Sequence, residues 1–224
     1  VFETVATITK KSIKIQVFGD SISDNTWGDL ETWVNHIEYD MPEYDCTIVN
    51  SAVGGSFLKS HLSVGVEDLV TDGSTLQTDS DVVVIFAGTN DWASGSDYIG
   101  SISNTTAGFY KTVRVIIEYI NANSDAIILI VTPIQRYNST DQSRATNSDG
   151  EPLSGSAENK TLRECCDAIK NMAQFLGTKV LDLYYDSGIN RGNILTYTTD
   201  GLHPNDLGDE RLSTIICRCI KSFI

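Results

Sequence analysis

Ile13-Lys14-Ile15-Gln16-Val17-Phe18-Gly19-Asp20-Ser21 is the stretch that decides the fold. Its first six residues are rich in Ile and Val and end at a turn residue, so they read as a strand. Gly19 permits a tight turn. Ser21 therefore lands just past the strand's end, where a segment of helical tendency begins. In a parallel α/β sheet the carboxyl ends of the strands face the ligand crevice. A serine at that place is within reach of chemistry, although a lone serine after a strand is more often a cap or a turn residue.

The rest of the chain repeats the theme. Thr47 to Val49, Val82 to Phe86, Ile127 to Val131 and Val180 to Leu183 read as further strands. Between them lie amphipathic stretches. Phe109, Val113, Ile116, Ile117 and Ile120 recur at helical spacing, and so do Leu162, Cys165, Ile169, Met172, Ala173 and Leu176. The last helix is expected to carry Leu207, Leu212, Ile215, Ile216, Cys219, Ile220 and Phe223 on one side. Leu30 to Ile37 is a fourth helical candidate. Alternation of this kind predicts an α/β fold with a parallel sheet covered on both faces. Residues 1–12 are expected to form an edge strand or a linker, and 13–224 a single domain. Residues 133–156 form a long polar loop, expected to be a lid, a binding loop or a surface excursion.

Composition narrows the function. The chain has 224 residues, 41% of them apolar, enough for one core without disulfides. A net charge of −14 excludes a phosphate-backbone partner, which needs clustered Lys and Arg. No apolar run reaches the ~18 residues of a bilayer span, and no signal-peptide pattern is present. The chain opens at Val1, which allows for a leader or upstream domain already removed. A soluble protein is expected, whether secreted or cytoplasmic, with oligomeric state left open. The five cysteines match no zinc spacing. Cys217 and Cys219 point about 200° apart on a helix, so they cannot bridge each other.

Four short blocks carry chemistry: Gly19-Asp20-Ser21, Asn50 through Gly55, Gly88-Thr89-Asn90-Asp91, and Asp200-Gly201-Leu202-His203-Pro204. Taken singly, each is turn chemistry. Together they supply a nucleophile, oxyanion donors and an acid–base pair. Of three histidines, only His203 has an aspartate three residues before it and a proline directly after it. Pro204 predicts a helix start there. Asp200 can then brace one imidazole nitrogen while the other faces Ser21. The side-chain amide of Asn90, the N–H of Ser21 and a glycine N–H at 54 or 55 are candidate oxyanion donors, with Asp91 bracing the turn.

These blocks resemble the signature positions of the SGNH (GDSL-type) hydrolases over residues 18–204. In that family the oxyanion glycine lies five residues after the asparagine of the second block, which selects Gly55. The resemblance implies a three-layer α/β/α sandwich, a flavodoxin-like sheet in the order 2-1-3-4-5, and ester hydrolysis without metal or cofactor. It also places the Cys165–Cys166 and Cys217–Cys219 helices on opposite faces of the sheet. Trp27 and Trp92 are expected to flank the site as substrate-binding aromatics, with Tyr98, Tyr137 or Tyr197 adding a rim. The expected partner is a small-molecule or glycan ester, above all an acetylated carbohydrate. A lysophospholipase or thioesterase of the same fold is the alternative, as is a non-catalytic glycan-recognition module of a surface or phage-tail protein.

Overall fold

In the computed structural model, residues 9–25, 31–58, 76–94, 99–103, 108–137 and 161–224 are described. The opening stretch forms β1 (Lys11–Gly19), starting two residues earlier than expected. Around it stand β2 (Tyr44–Asn50), β3 (Val82–Phe86), β4 (Ile127–Val131) and β5 (Lys179–Leu181). All pairings are parallel, and the order is β2-β1-β3-β4-β5. Val17 pairs with Asn50, and Gly19 with Phe86. The first three blocks therefore leave the same edge of the sheet on neighbouring strands.

Helices cover both faces. One face packs under α3 (Phe109–Asn123) and α4 (Leu162–Leu176), with α2 (Thr89–Ser94) at its end. The other packs under a 3-10 turn (Trp33–His36), α1 (Ile37–Asp40) and α7 (Asp206–Lys221). Strand periodicity sorts the side chains between them. Val83 and Ile85 of β3 join the first core, while Val82, Val84 and Phe86 join the second. Every residue of β3 is buried, as expected for a strand covered on both sides. This is the α/β sandwich and the sheet order that the sequence reading anticipates.

Local chemistry sets the ends of the elements. Thr161 caps α4 by accepting from Glu164 N at 3.1 Å, and Glu164 returns the contact to Thr161 N at 2.7 Å. Inside β1 the fully buried Gln16 is satisfied by Ser51 Oγ at 3.0 Å and Gln77 N at 2.8 Å.

Some boundaries differ from expectation. The fifth strand stops at Leu181, because Leu183 turns into α5 (Leu183–Asp186) with its N–terminus at Asp182. The segment 184–199 contains the rest of α5 and also α6 (Ile194–Tyr197). Pro204 does not start a helix. It forms an antiparallel bridge with Thr198, and Asn205 caps α7 by accepting from Gly208 N at 3.2 Å. Leu207 is exposed, since the buried face of α7 runs through Gly208, Asp209, Leu212, Ser213, Ile216, Cys217 and Ile220.

Cys165 and Cys166 lie in the first core and Cys217 in the second, with the sheet between them; none of the five cysteines is in a disulfide. Among the described residues no helix is long and apolar enough to cross a membrane. Residues 1–8 of the expected edge strand or linker, and 138–156 of the polar loop, lie outside the described residues.

Candidate active site

Gly19 ends β1 where there is no room for a side chain. A Cβ there would sit 2.8 Å from both Phe86 O and Ser23 Oγ. The chain then turns, with Ser23 N and Asp24 N both donating to Asp20 O at 3.0 Å. Ser21 stands at the head of this turn. Its Oγ lies 2.9 Å from His203 Nε2, although 182 positions separate the two residues.

The turn that presents His203 is built by Asp200. Asp200 Oδ1 accepts from Leu202 N at 2.9 Å and from His203 N at 2.8 Å. Asp200 Oδ2 lies 2.7 Å from His203 Nδ1. Thr199 N donates to His203 O at 2.9 Å, closing the turn across the Thr198–Pro204 bridge. Partial burial alone would raise the Asp200 carboxyl. The hydrogen bonds from His203 and Leu202 outweigh it and hold the group below its ordinary value. An ionised Asp200 fixes the proton on Nδ1 and leaves Nε2 as the acceptor for the Ser21 hydroxyl.

The loops of the first three blocks are tied to one another. Val53 N and Ser56 Oγ both donate to Gly19 O at 3.0 Å. Asn90 Nδ2 donates to Ser56 O at 2.9 Å, and Asp91 Oδ2 accepts from Leu58 N at 2.8 Å. The bracing expected of Asp91 thus runs to Leu58, in the loop that follows the second block. Gly54 N is committed to Asp24 Oδ2 at 2.7 Å. By contrast, the N–H groups of Gly55 and Ser21 meet no acceptor among the described residues. Unpaired backbone donors beside a nucleophile are what an oxyanion requires.

The aromatic expectations fare differently. Trp27 and Tyr98 lie outside the described residues. Trp92 is 4% exposed and belongs to the first core, and the Arg136 guanidinium covers its ring at 5.0 Å. It seats Arg136 and offers no open face for stacking. Tyr137 is exposed and donates its N–H to Gly201 O at 2.8 Å, so it braces the His203 turn. Tyr197 packs against the second core beneath Arg211.

Three residues near the site are not singled out by sequence reasoning. Arg136 donates to Thr89 Oγ1 at 3.2 Å, and its charge faces Asp20 and Asp200. Nothing in the polar stretch around it marks it. Asp20 is 1% exposed, and burial pushes its carboxyl up to about 7, with Asp91 adding to the rise while Ile22 N and Arg136 oppose it. Asp209 had a legible signal: it falls in phase with Leu212, Ile216 and Ile220 on the buried stripe of α7. Among the described residues no group of three metal-ligating side chains occurs.

This geometry has relatives. No curated protein matches the sequence. A protein from Lactobacillus plantarum is 20% identical, with a TM-score of 0.72 over 96% of this chain and 100% of that one. A lipase/acylhydrolase from Enterococcus faecalis is 20% identical, with a TM-score of 0.66 over 94% and 96%. An acetylxylan esterase from Geobacillus stearothermophilus is 17% identical, with a TM-score of 0.65 over 96% of each chain. These likenesses concern the fold. The model of the GDSL-like lipase/acylhydrolase family matches residues 17–211, and the chain belongs to that family.

Proposed function

We propose that the protein is a serine ester hydrolase acting through an acyl-enzyme, with Ser21 as nucleophile, His203 as base and Asp200 as its brace. The observation that carries this reading is the unbroken chain of contacts from Ser21 Oγ to His203 Nε2 at 2.9 Å and from Nδ1 to Asp200 at 2.7 Å.

Ser21 Oγ attacks the ester carbonyl carbon while Nε2 takes the hydroxyl proton. The carbonyl oxygen becomes an oxyanion, stabilised by the N–H groups of Ser21 and Gly55 and by the second amide hydrogen of Asn90. Collapse breaks the bond to the alcohol oxygen, which takes the proton from Nε2 and leaves. Water then adds to the acyl-serine, giving its proton to the same nitrogen. The second collapse returns that proton to Ser21 Oγ and releases the carboxylic acid. No step requires a metal or cofactor.

The substrate we favour is a short acyl ester of a carbohydrate, above all an acetate. Membership of an acylhydrolase family and the acetylxylan esterase among the structural relatives support it. Labelling of Ser21 by a fluorophosphonate and turnover of p-nitrophenyl acetate test the reading. Both are expected in the wild type and lost in Ser21→Ala. A wild type that neither labels nor turns over would be a recognition module.

A further inference from the structure

Beside Ser21 lies a cavity of about 390 Å³. Its wall includes the nucleophile, Asp200 and His203, but neither Gly55 nor Asn90. It therefore opens on the imidazole side of the nucleophile and away from the Gly55 and Asn90 donors. In serine ester hydrolysis the departing oxygen must receive its proton from the imidazole. The group in a cavity on that side is the alcohol of the ester, not its acyl chain.

The lining states what kind of alcohol fits. Ile22 and Pro204 supply apolar contact, and Thr32 and Thr199 supply hydroxyls. Among the described residues no Lys or Arg lines it, so an anionic alcohol finds no counter-charge. Asp209 also lines it and is 4% exposed. Its Oδ1 accepts from Trp33 N at 2.9 Å. Its second oxygen has no hydrogen-bond partner among the described residues, in a carboxyl that burial pushes up to about 7 despite the Trp33 bond. That oxygen is available to a hydrogen-bond donor in the cavity.

We propose that this cavity, also lined by Asp24 and Glu31, is the alcohol subsite and that Asp209 reads a hydroxyl of a polyhydroxylated alcohol without negative charge there. The inference rests on the esterase reading above and adds the residue that would set alcohol selectivity. Whether ionised or protonated, the free oxygen of Asp209 offers such a hydroxyl a partner. A lipid-like alcohol would leave it unmet.

The test uses monoacetylated methyl glycosides and analogues lacking one hydroxyl each, with p-nitrophenyl acetate as reference ester. In the wild type, kcat/KM relative to the reference should fall about 10-fold when one particular hydroxyl is removed. Asp209→Asn keeps an acceptor for Trp33 N but replaces the free oxygen with an amide. It should lower the glycoside-to-reference ratio about 10-fold and no longer distinguish the parent from that deoxy analogue. A second measurement needs no variant: the free parent glycoside should inhibit reference hydrolysis, and the deoxy glycoside should do so about 10-fold more weakly. Wild-type indifference to every hydroxyl, or discrimination that survives in Asp209→Asn, overturns the subsite and leaves the esterase reading standing. Absence of reference turnover overturns both.

Discussion

Asp200 holds His203 at two points. One carboxylate oxygen accepts the main-chain N–H of His203 at 2.8 Å, and the other meets imidazole Nδ1 at 2.7 Å. The same group thus shapes the turn and sets the tautomer. Asp200→Asn keeps an acceptor for the turn but can present an amide N–H to Nδ1. That nitrogen must then accept, and the ring proton moves to Nε2, where it cannot receive the Ser21 proton. With p-nitrophenyl acetate, kcat is expected to fall about 10²- to 10⁴-fold, with far less change in KM. A loss of only about 2-fold would mean that the imidazole is oriented without this brace.

Asn90 has two duties that can be separated. Its amide donates to Ser56 O at 2.9 Å and has a second hydrogen, which the proposed mechanism directs at the oxyanion. Asn90→Ala should lower kcat/KM about 10²- to 10³-fold. The orphaned Ser56 carbonyl should cost about 1 kcal/mol of stability in urea unfolding. Equal activity beside a normal unfolding curve would remove Asn90 from the oxyanion site.

Gly201 is a place where the loop after β4 meets the histidine turn. Its φ is +84°, and a Cβ would fall 2.5 Å from Tyr137 Cβ. Gly201→Ala should therefore displace the turn, reducing activity at least about 10-fold and stability by about 1–3 kcal/mol. Adding Tyr137→Gly removes the clash but not the strained backbone, so the double variant should recover only part of the loss. Full recovery would assign the whole effect to sterics.

How far the sequence reached depends on whether a feature is local. Strands such as Val82–Phe86 are apolar throughout because both sides are covered, and that is visible in one dimension. The turn from Asp200 to His203 is equally local, spanning four residues with its hydrogen bonds inside it. Trp92 misled because proximity to Asn90 in the chain does not say which way a helical side chain points. It faces the core, and Arg136, 44 positions later, covers its ring. Asp209 is in phase with Leu212, Ile216 and Ile220, but the cavity that it lines is assembled from segments far apart in the chain. Leu207 lies about 140° from Leu212 around the helix, so the spacing itself sets it off the buried stripe. The cavity joins the Ser21 turn, the segment before the 3-10 turn and the start of α7, a meeting that no local pattern encodes.

Asp20, next to Ser21, should leave a signature in stability. Burial raises its carboxyl from the ordinary value of 3.8 to about 7, with Asp91 adding to the rise and the Ile22 N–H and Arg136 opposing it. In the unfolded chain the group ionises near its ordinary value; in the folded protein it keeps its proton until about pH 7. Between those limits the folded state binds the extra proton, so stability falls as pH rises and levels off above about 7. Asp20→Asn keeps the acceptor for Ile22 N and cannot ionise. The stability of this variant relative to wild type, from urea unfolding at pH 4 to 8, should rise through that window by a few kcal/mol and then stay constant. The Asp209 carboxyl, raised to about 7 in the same way, is present in both proteins and cancels in the difference. A difference independent of pH would mean that Asp20 is already ionised in the fold, with Arg136 neutralising it.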